Sequence, residues 1–85
     1  MSDRDDLFER LSEGPENAEQ VTVRTNRENG TVEVELERTV VELNPDEAHT
    51  FADDLENDAR ENGWYHAGQT RPFLENVRES ADAVE

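Results

Sequence analysis

Residues 20–43, QVTVRTNRENGTVEVELERTVVEL, decide the fold, because here apolar side chains recur at every second position. Val21 and Val23 alternate with Thr22 and Arg24. After Asn29-Gly30, Val32, Val34 and Leu36 alternate with Glu33, Glu35 and Glu37. Asn-Gly between two such runs is the strongest short-range hairpin signal, since a type I′ turn needs positive φ at both central residues. A two-residue loop at Asn29-Gly30 sets Val23 against Leu36, Thr25 against Val34 and Arg24 against Glu35, with all five apolar side chains on one face. A four-residue loop, Arg27 to Gly30, preserves that parity, whereas a three-residue loop breaks it.

The alternation slips beyond Glu37. Val40 keeps the earlier parity, but Val41 and Leu43 adopt the opposite one. Two structures repair this: a bulge or bend near residues 38–40 in one long second strand, or a separate third strand, Thr39 to Leu43. The corner between them holds no Gly, Pro, Asn or Asp, so the long, bent strand is the expectation.

Helical patterns flank the ribbon. Upstream, Leu7, Phe8 and Leu11 form one apolar stripe within Ser2 to Ser12, with Asp3, Asp5 and Asp6 in the opening turn, and Glu13-Gly14-Pro15 ends it. This short helix, with the linker up to residue 18, is expected to be peripheral to a single domain spanning 19–85. Downstream, Asn44-Pro45-Asp46-Glu47 supplies an N-cap, Pro at N1 and the Glu of a capping box. Ala48, Phe51, Ala52, Leu55 and Ala59 follow within an arc of about 100°, and the acids of the segment fall outside it. Asn62-Gly63 is the expected stop. Trp64 to Gln69 reads as a loop, and a last helix from Arg71 or Pro72 to about Val84 presents Phe73, Leu74, Val77, Ala81 and Val84 on one face. The expected architecture is α+β: a short N-terminal helix, an antiparallel β-hairpin and two C-terminal helices packed on one sheet face.

Lysine is absent, and 23 Asp and Glu against eight Arg give a net charge of −15 on 85 residues. Leu, Val and Phe are sparse and Ile is missing, a composition that borders on that of disordered chains. The sorted helix faces decide for folding. Carboxylates repel over about 10 Å at 0.1 M salt and over about 3 Å at 1 M, so this surface suits a saline cytoplasm. No cysteine is present, which excludes disulfides and thiolate metal sites. The first residues carry no apolar run of a signal peptide and no stretch approaches 18 apolar residues, so a cytoplasmic protein is expected.

Val41 to Leu55, VELNPDEAHTFADDL, resembles the strand-then-helix stretch of short prokaryotic proteins whose helix opens with a Leu-Thr/Ser-Pro-Glu-Glu-Ala type of start. The lysine-free acidity is similar to that of haloarchaeal proteins, among them small acidic domains of unknown function. The resemblance implies a small domain and transfers no site residues.

Chemistry-bearing residues are few. Trp64, Tyr65, His66 and Arg71 concentrate the only Trp, the only Tyr, one of two His and a fork-shaped donor in one Gly-flanked loop. They form either a contact surface for a partner or, for Trp64 and Tyr65, the plug of a small core. His49 and His66, 17 residues apart, match no metal-ligand spacing, so neither metal nor other cofactor is expected. Ser2, Ser12 and Ser80 sit at termini or helix exteriors with no adjacent base, and no enzyme activity is expected. The eight Arg are scattered among acids, and the hairpin trio Arg24, Arg27 and Arg38 is split between faces, so contact with nucleic acid ranks second. A two-stranded ribbon is marginal alone, the far half of its long second strand lacks a partner, and such an open edge either invites another chain or is shielded by the first or last helix. The leading expectation is therefore a non-catalytic interaction module that dimerises through the hairpin edge.

Overall fold

The computed structural model describes residues 3–85; Ser2, one of the candidate nucleophiles, lies outside the described residues. The chain is α+β: α1 (Asp3–Leu11), a single 3₁₀ turn (Asn17–Glu19), β1 (Thr22–Asn26), β2 (Thr31–Leu36), β3 (Thr39–Leu43), α2 (Pro45–Asn62) and α3 (Thr70–Val84). The strands form one antiparallel sheet in the order β1-β2-β3. Helices cover one face of it.

Two details correct the reading of the ribbon. The pair Asn26↔Thr31 closes the first hairpin, so its loop is the four-residue one, and Val23 faces Val34 while Arg24 faces Glu33. A type I′ turn requires positive φ at both Asn29 and Gly30, but among the described residues only Gly30 of the two has it, at +65°. The Asn26 side chain explains the preference for the longer loop, because its Oδ1 accepts from the backbone N–H of Asn29 at 3.2 Å. Arg24 still meets Glu35, now along the diagonal, at 2.8 Å.

The long bent strand is replaced by a third strand. Leu36↔Thr39 closes a two-residue loop, Glu37-Arg38, and β3 pairs with β2 along its length. Glu37 provides the corner by taking φ +56°, and it is the only non-glycine with positive φ among the described residues. A two-residue hairpin loop with positive φ at its first residue favours Gly there. The parity change is thereby resolved: Val41 and Leu43 point into the core and Val40 stands outside, 46% exposed.

Alternation sorts the sheet into two faces. Val32, Val34, Leu36, Val41 and Leu43 are buried inward, and Ala48, Phe51, Ala52, Leu55, Phe73, Leu74, Val77 and Ala81 meet them from α2 and α3. Rather than lying at the periphery, α1 inserts Leu7 and Leu11, which are 0% and 1% exposed, and Phe8 packs edge-on against Phe51 with ring centroids 5.6 Å apart. The outer face carries Arg24, Glu33, Glu35, Val40 and Glu42, with Glu33 directly opposite Glu42.

The capping box of α2 is complete: Glu47 N–H donates to Asn44 Oδ1 at 2.8 Å and Asn44 N–H donates to Glu47 Oε1 at 3.2 Å. At its other end Gly63 takes φ +80°, and the N–H groups of Gly63 and Trp64 donate back to Arg60 and Ala59. A short connection then returns the chain as α3. The two helices are tied on their solvent side by Arg78, which reaches Asp53 at 2.8 Å and Glu56 at 3.1 Å. Burial raises the Glu56 carboxyl, but hydrogen bonds and charge from Arg78 and Arg60 outweigh that and hold it below the usual glutamate range.

Candidate interaction surface

Trp64 to Gln69 form the turn between α2 and α3; α3 begins at Thr70, so Arg71 lies in its first turn and not in the loop. Ala67 N–H donates to the Trp64 carbonyl at 3.0 Å, and Gly68, at φ +56°, sits where any Cβ would lie 3.4 to 3.5 Å from Pro15 and Glu19. Trp64 and Tyr65 are half-buried and pack against the core. The Arg60 guanidinium lies 4.2 Å above the Tyr65 ring, and the His66 and Tyr65 rings meet edge-on with centroids 4.8 Å apart. His66 and Arg71 are exposed, and Arg71 is paired with Glu75 at 3.3 Å, one turn along α3. The loop's aromatic surface is thus largely occupied by its own chain, and Arg71 does not join the aromatic pair.

The hairpin arginines form no stripe. Arg24 on the outer sheet face is held by Glu35. Arg27 and Arg38 are exposed in the loops at opposite ends of β2, about 20 Å apart at roughly 3.3 Å per residue. Of the serines, Ser12 Oγ donates to the Phe8 carbonyl at 2.8 Å and Ser80 Oγ accepts from Thr25 Oγ1 at 3.0 Å. Neither has an imidazole or carboxylate as base among the contacts described. No helix among the described residues is long and apolar enough to cross a membrane.

The surface that differs from the rest of the molecule runs along β1. Among the described residues this strand pairs only with β2, so its other side is an open edge. Beside it lie two adjoining shallow hollows of about 220 and 440 Å³, which share Val23 and Asn76. Ala18, Val21, Val23, Pro72, Phe73 and Ala83 stand in their lining, but most of the surface they expose is polar, and Glu19 and Glu79 stand among the lining residues. Two segments free of acid, 20–27 and 62–74, come together here through Val21, Val23, Gln69, Pro72 and Phe73. In a chain where 23 of 85 residues are acidic, that clearing is the signal the sequence reading passed over. It was legible as two gaps in the acid pattern, but their meeting depends on α3 returning under β1.

A third arrangement joins residues distant in sequence. His49, in the first turns of α2, places Nε2 3.2 Å from Asp82 Oδ1 and 3.8 Å from Glu85 Oε1 at the end of α3. His66 is not part of it. No protein-family model matches the chain, and no similar curated protein or solved structure was found.

Proposed function

We propose that this chain is a non-catalytic interaction module of a saline cytoplasm that pairs with a second copy of itself through the β1 edge. The observation that carries the reading is the acid-free run from Gln20 to Arg27 on an open strand edge. Natural edges are usually blunted with charge, Pro or bulges; β1 has only Arg24 facing the outer side, and it is already engaged by Glu35. The other edge is less suited, because β3 carries Glu42 and is flanked by Glu37, Asp46 and Glu47.

Parity restricts the pairing. For the helices of both copies to lie on one side of a continuous six-stranded sheet, inward residues must face inward residues across a two-fold axis. Centring the axis at Val23 sets Val23 against its symmetry mate, Val21 against Thr25 and Thr22 against Arg24. Glu19 and Glu79 line the hollows beside the seam, so the pairing brings acids of both copies toward each other as well as apolar side chains. Because each copy carries a charge of −15, association strengthens as salt shortens the screening length from about 10 Å at 0.1 M to about 3 Å at 1 M.

Sedimentation velocity in about 0.1 M and about 2 M KCl tests this directly. The expected result is a dimer in concentrated salt, dissociated by Val23→Glu, which places two carboxylates face to face, and retained by Val40→Glu on the other edge. A folded monomer in concentrated salt, or a dimer indifferent to Val23→Glu, refutes the pairing. Trp64→Ala separates the loop from the edge: it lowers stability without dissociating the dimer, whereas selective dissociation moves the contact surface to the loop.

A further inference from the structure

We infer that His49, Asp82 and Glu85 form a divalent transition-metal site, with Zn²⁺ as its natural class of occupant. One donor atom from each of the three residues falls within 4.8 Å of the others, a spacing that one ion with bonds of about 2.0–2.2 Å can span after small side-chain adjustments. The backbone beneath His49 and Asp82 is packed on the core. Each helix anchors at an alanine adjoining a ligand, Ala48 before His49 and Ala81 before Asp82, both fully buried. Asp82 and Glu85 are three apart at the end of α3 and so lie on the same side of it. The capping box at Asn44 and Glu47 holds the first turn of α2 just ahead of His49.

The helix charges point the same way. A helix C-terminus carries partial negative charge and favours cations, while carboxylates belong at the N-terminus. Helices α1 and α2 obey this rule, with acids in the first turn and Arg10 or Arg60 in the last. Helix α3 reverses it: no acid stands in its first turn and no basic residue in its last, where Asp82 lies with Glu85 just beyond. Two carboxylates at the negative end of a helix, converging on an imidazole nitrogen, are an arrangement that a bound cation stabilises. An imidazole with two carboxylates selects Zn²⁺, Ni²⁺ or Co²⁺ over Mg²⁺ and Ca²⁺, which prefer all-oxygen shells. Three protein donors leave the remaining positions to water.

The site differs from diffuse counterion binding in its response to salt. Ions attracted by a net charge of −15 are displaced by KCl, whereas inner-sphere coordination through a neutral imidazole is only weakened. The experiment is calorimetric titration of the metal-free chain with ZnCl₂ in about 0.1 M and about 2 M KCl, with MgCl₂ as the comparison ion. Nitrogen-15 spectra of histidine-labelled protein report which imidazole is bound, His66 serving as the internal reference. The expected result is one Zn²⁺ per chain in both salts, a large shift of the His49 nitrogens with His66 unmoved, and at least a tenfold loss of affinity in each of His49→Ala and Asp82→Asn. These side chains are at least a third exposed, so the variants stay folded and circular dichroism verifies it. Binding that vanishes in 2 M KCl, that shifts both histidines alike, or that survives His49→Ala overturns the site. So does the absence of any heat at millimolar Zn²⁺.

Discussion

Replacing Glu37 tests the three-stranded sheet at its weakest point. In the structure Glu37 takes φ +56° at the first position of the β2–β3 loop. A left-handed backbone costs a residue with a Cβ about 1–2 kcal/mol, and glycine escapes that cost. Glycine also loses more chain entropy on folding, about 0.5–1 kcal/mol relative to alanine. The side chain adds a pair with Arg10 at 3.2 Å, which at 65% exposure of Glu37 contributes at most a few tenths of a kcal/mol. Comparing Glu37→Gly with Glu37→Ala cancels the ion pair, since both variants lack it. The difference isolates the backbone: glycine is expected to be the more stable by about 0.5–1 kcal/mol, or roughly 3–6 °C in Tm for a domain this size. Thermal unfolding followed by circular dichroism in concentrated KCl reads it. At an ordinary strand position the order is inverted, with glycine below alanine. Finding that inverted order would refute the corner and restore the continuous, bent strand.

Three further outcomes follow from other parts of the chain. Thr70 is 1% exposed and its hydroxyl has no hydrogen-bond partner among the described residues, so Thr70→Val is expected to raise stability by about 1 kcal/mol in a denaturant titration. Asn44→Ala removes the side-chain half of the capping box and should lower stability by about 1 kcal/mol in the same assay, with Asn44→Ser restoring most of it. Because the folded-state pKa of Glu56 is lowered, its stabilisation is present above the usual glutamate range and is lost as pH falls through the lowered value. Arg78→Leu should therefore cost about 1–2 kcal/mol at pH 7 after allowance for partial exposure, and the gap to the unaltered chain should narrow as the pH falls through that lowered value.

The helices were legible because their signals are local. Asn44-Pro45-Asp46-Glu47 and Gly63 mark the ends of α2 in the sequence itself, and the buried set Ala48, Phe51, Ala52, Leu55 and Ala59 is the one its periodicity selects. The corner at Glu37 was illegible since a turn of that shape normally shows a glycine, and nothing about Glu-Arg discloses that the chain accepts the strain. The register of the first hairpin was missed for a related reason: Asn-Gly invites a two-residue loop, but the Asn26 side chain binds Asn29 N–H and stabilises a longer one. Two of the four proposed contact residues, Trp64 and Tyr65, are held against the core, an outcome the sequence left open. The His49 group needed tertiary information of a simple kind. His49 and Asp82 lie equally far along the chain from the turn at residues 65–66, as do Asp53 and Arg78, so folding the two helices back at that turn brings each pair together. Scanning for short ligand motifs overlooks such pairs.

The direct opposition of Glu33 and Glu42 at the middle of the uncovered sheet face limits how these molecules can assemble. Stacking two such faces would bring at least four carboxylates into a dry layer with one Arg24 from each side to offset them. That opposition disfavours face-to-face stacking of the folded chain through its uncovered sheet face, the layering on which fibrils are built.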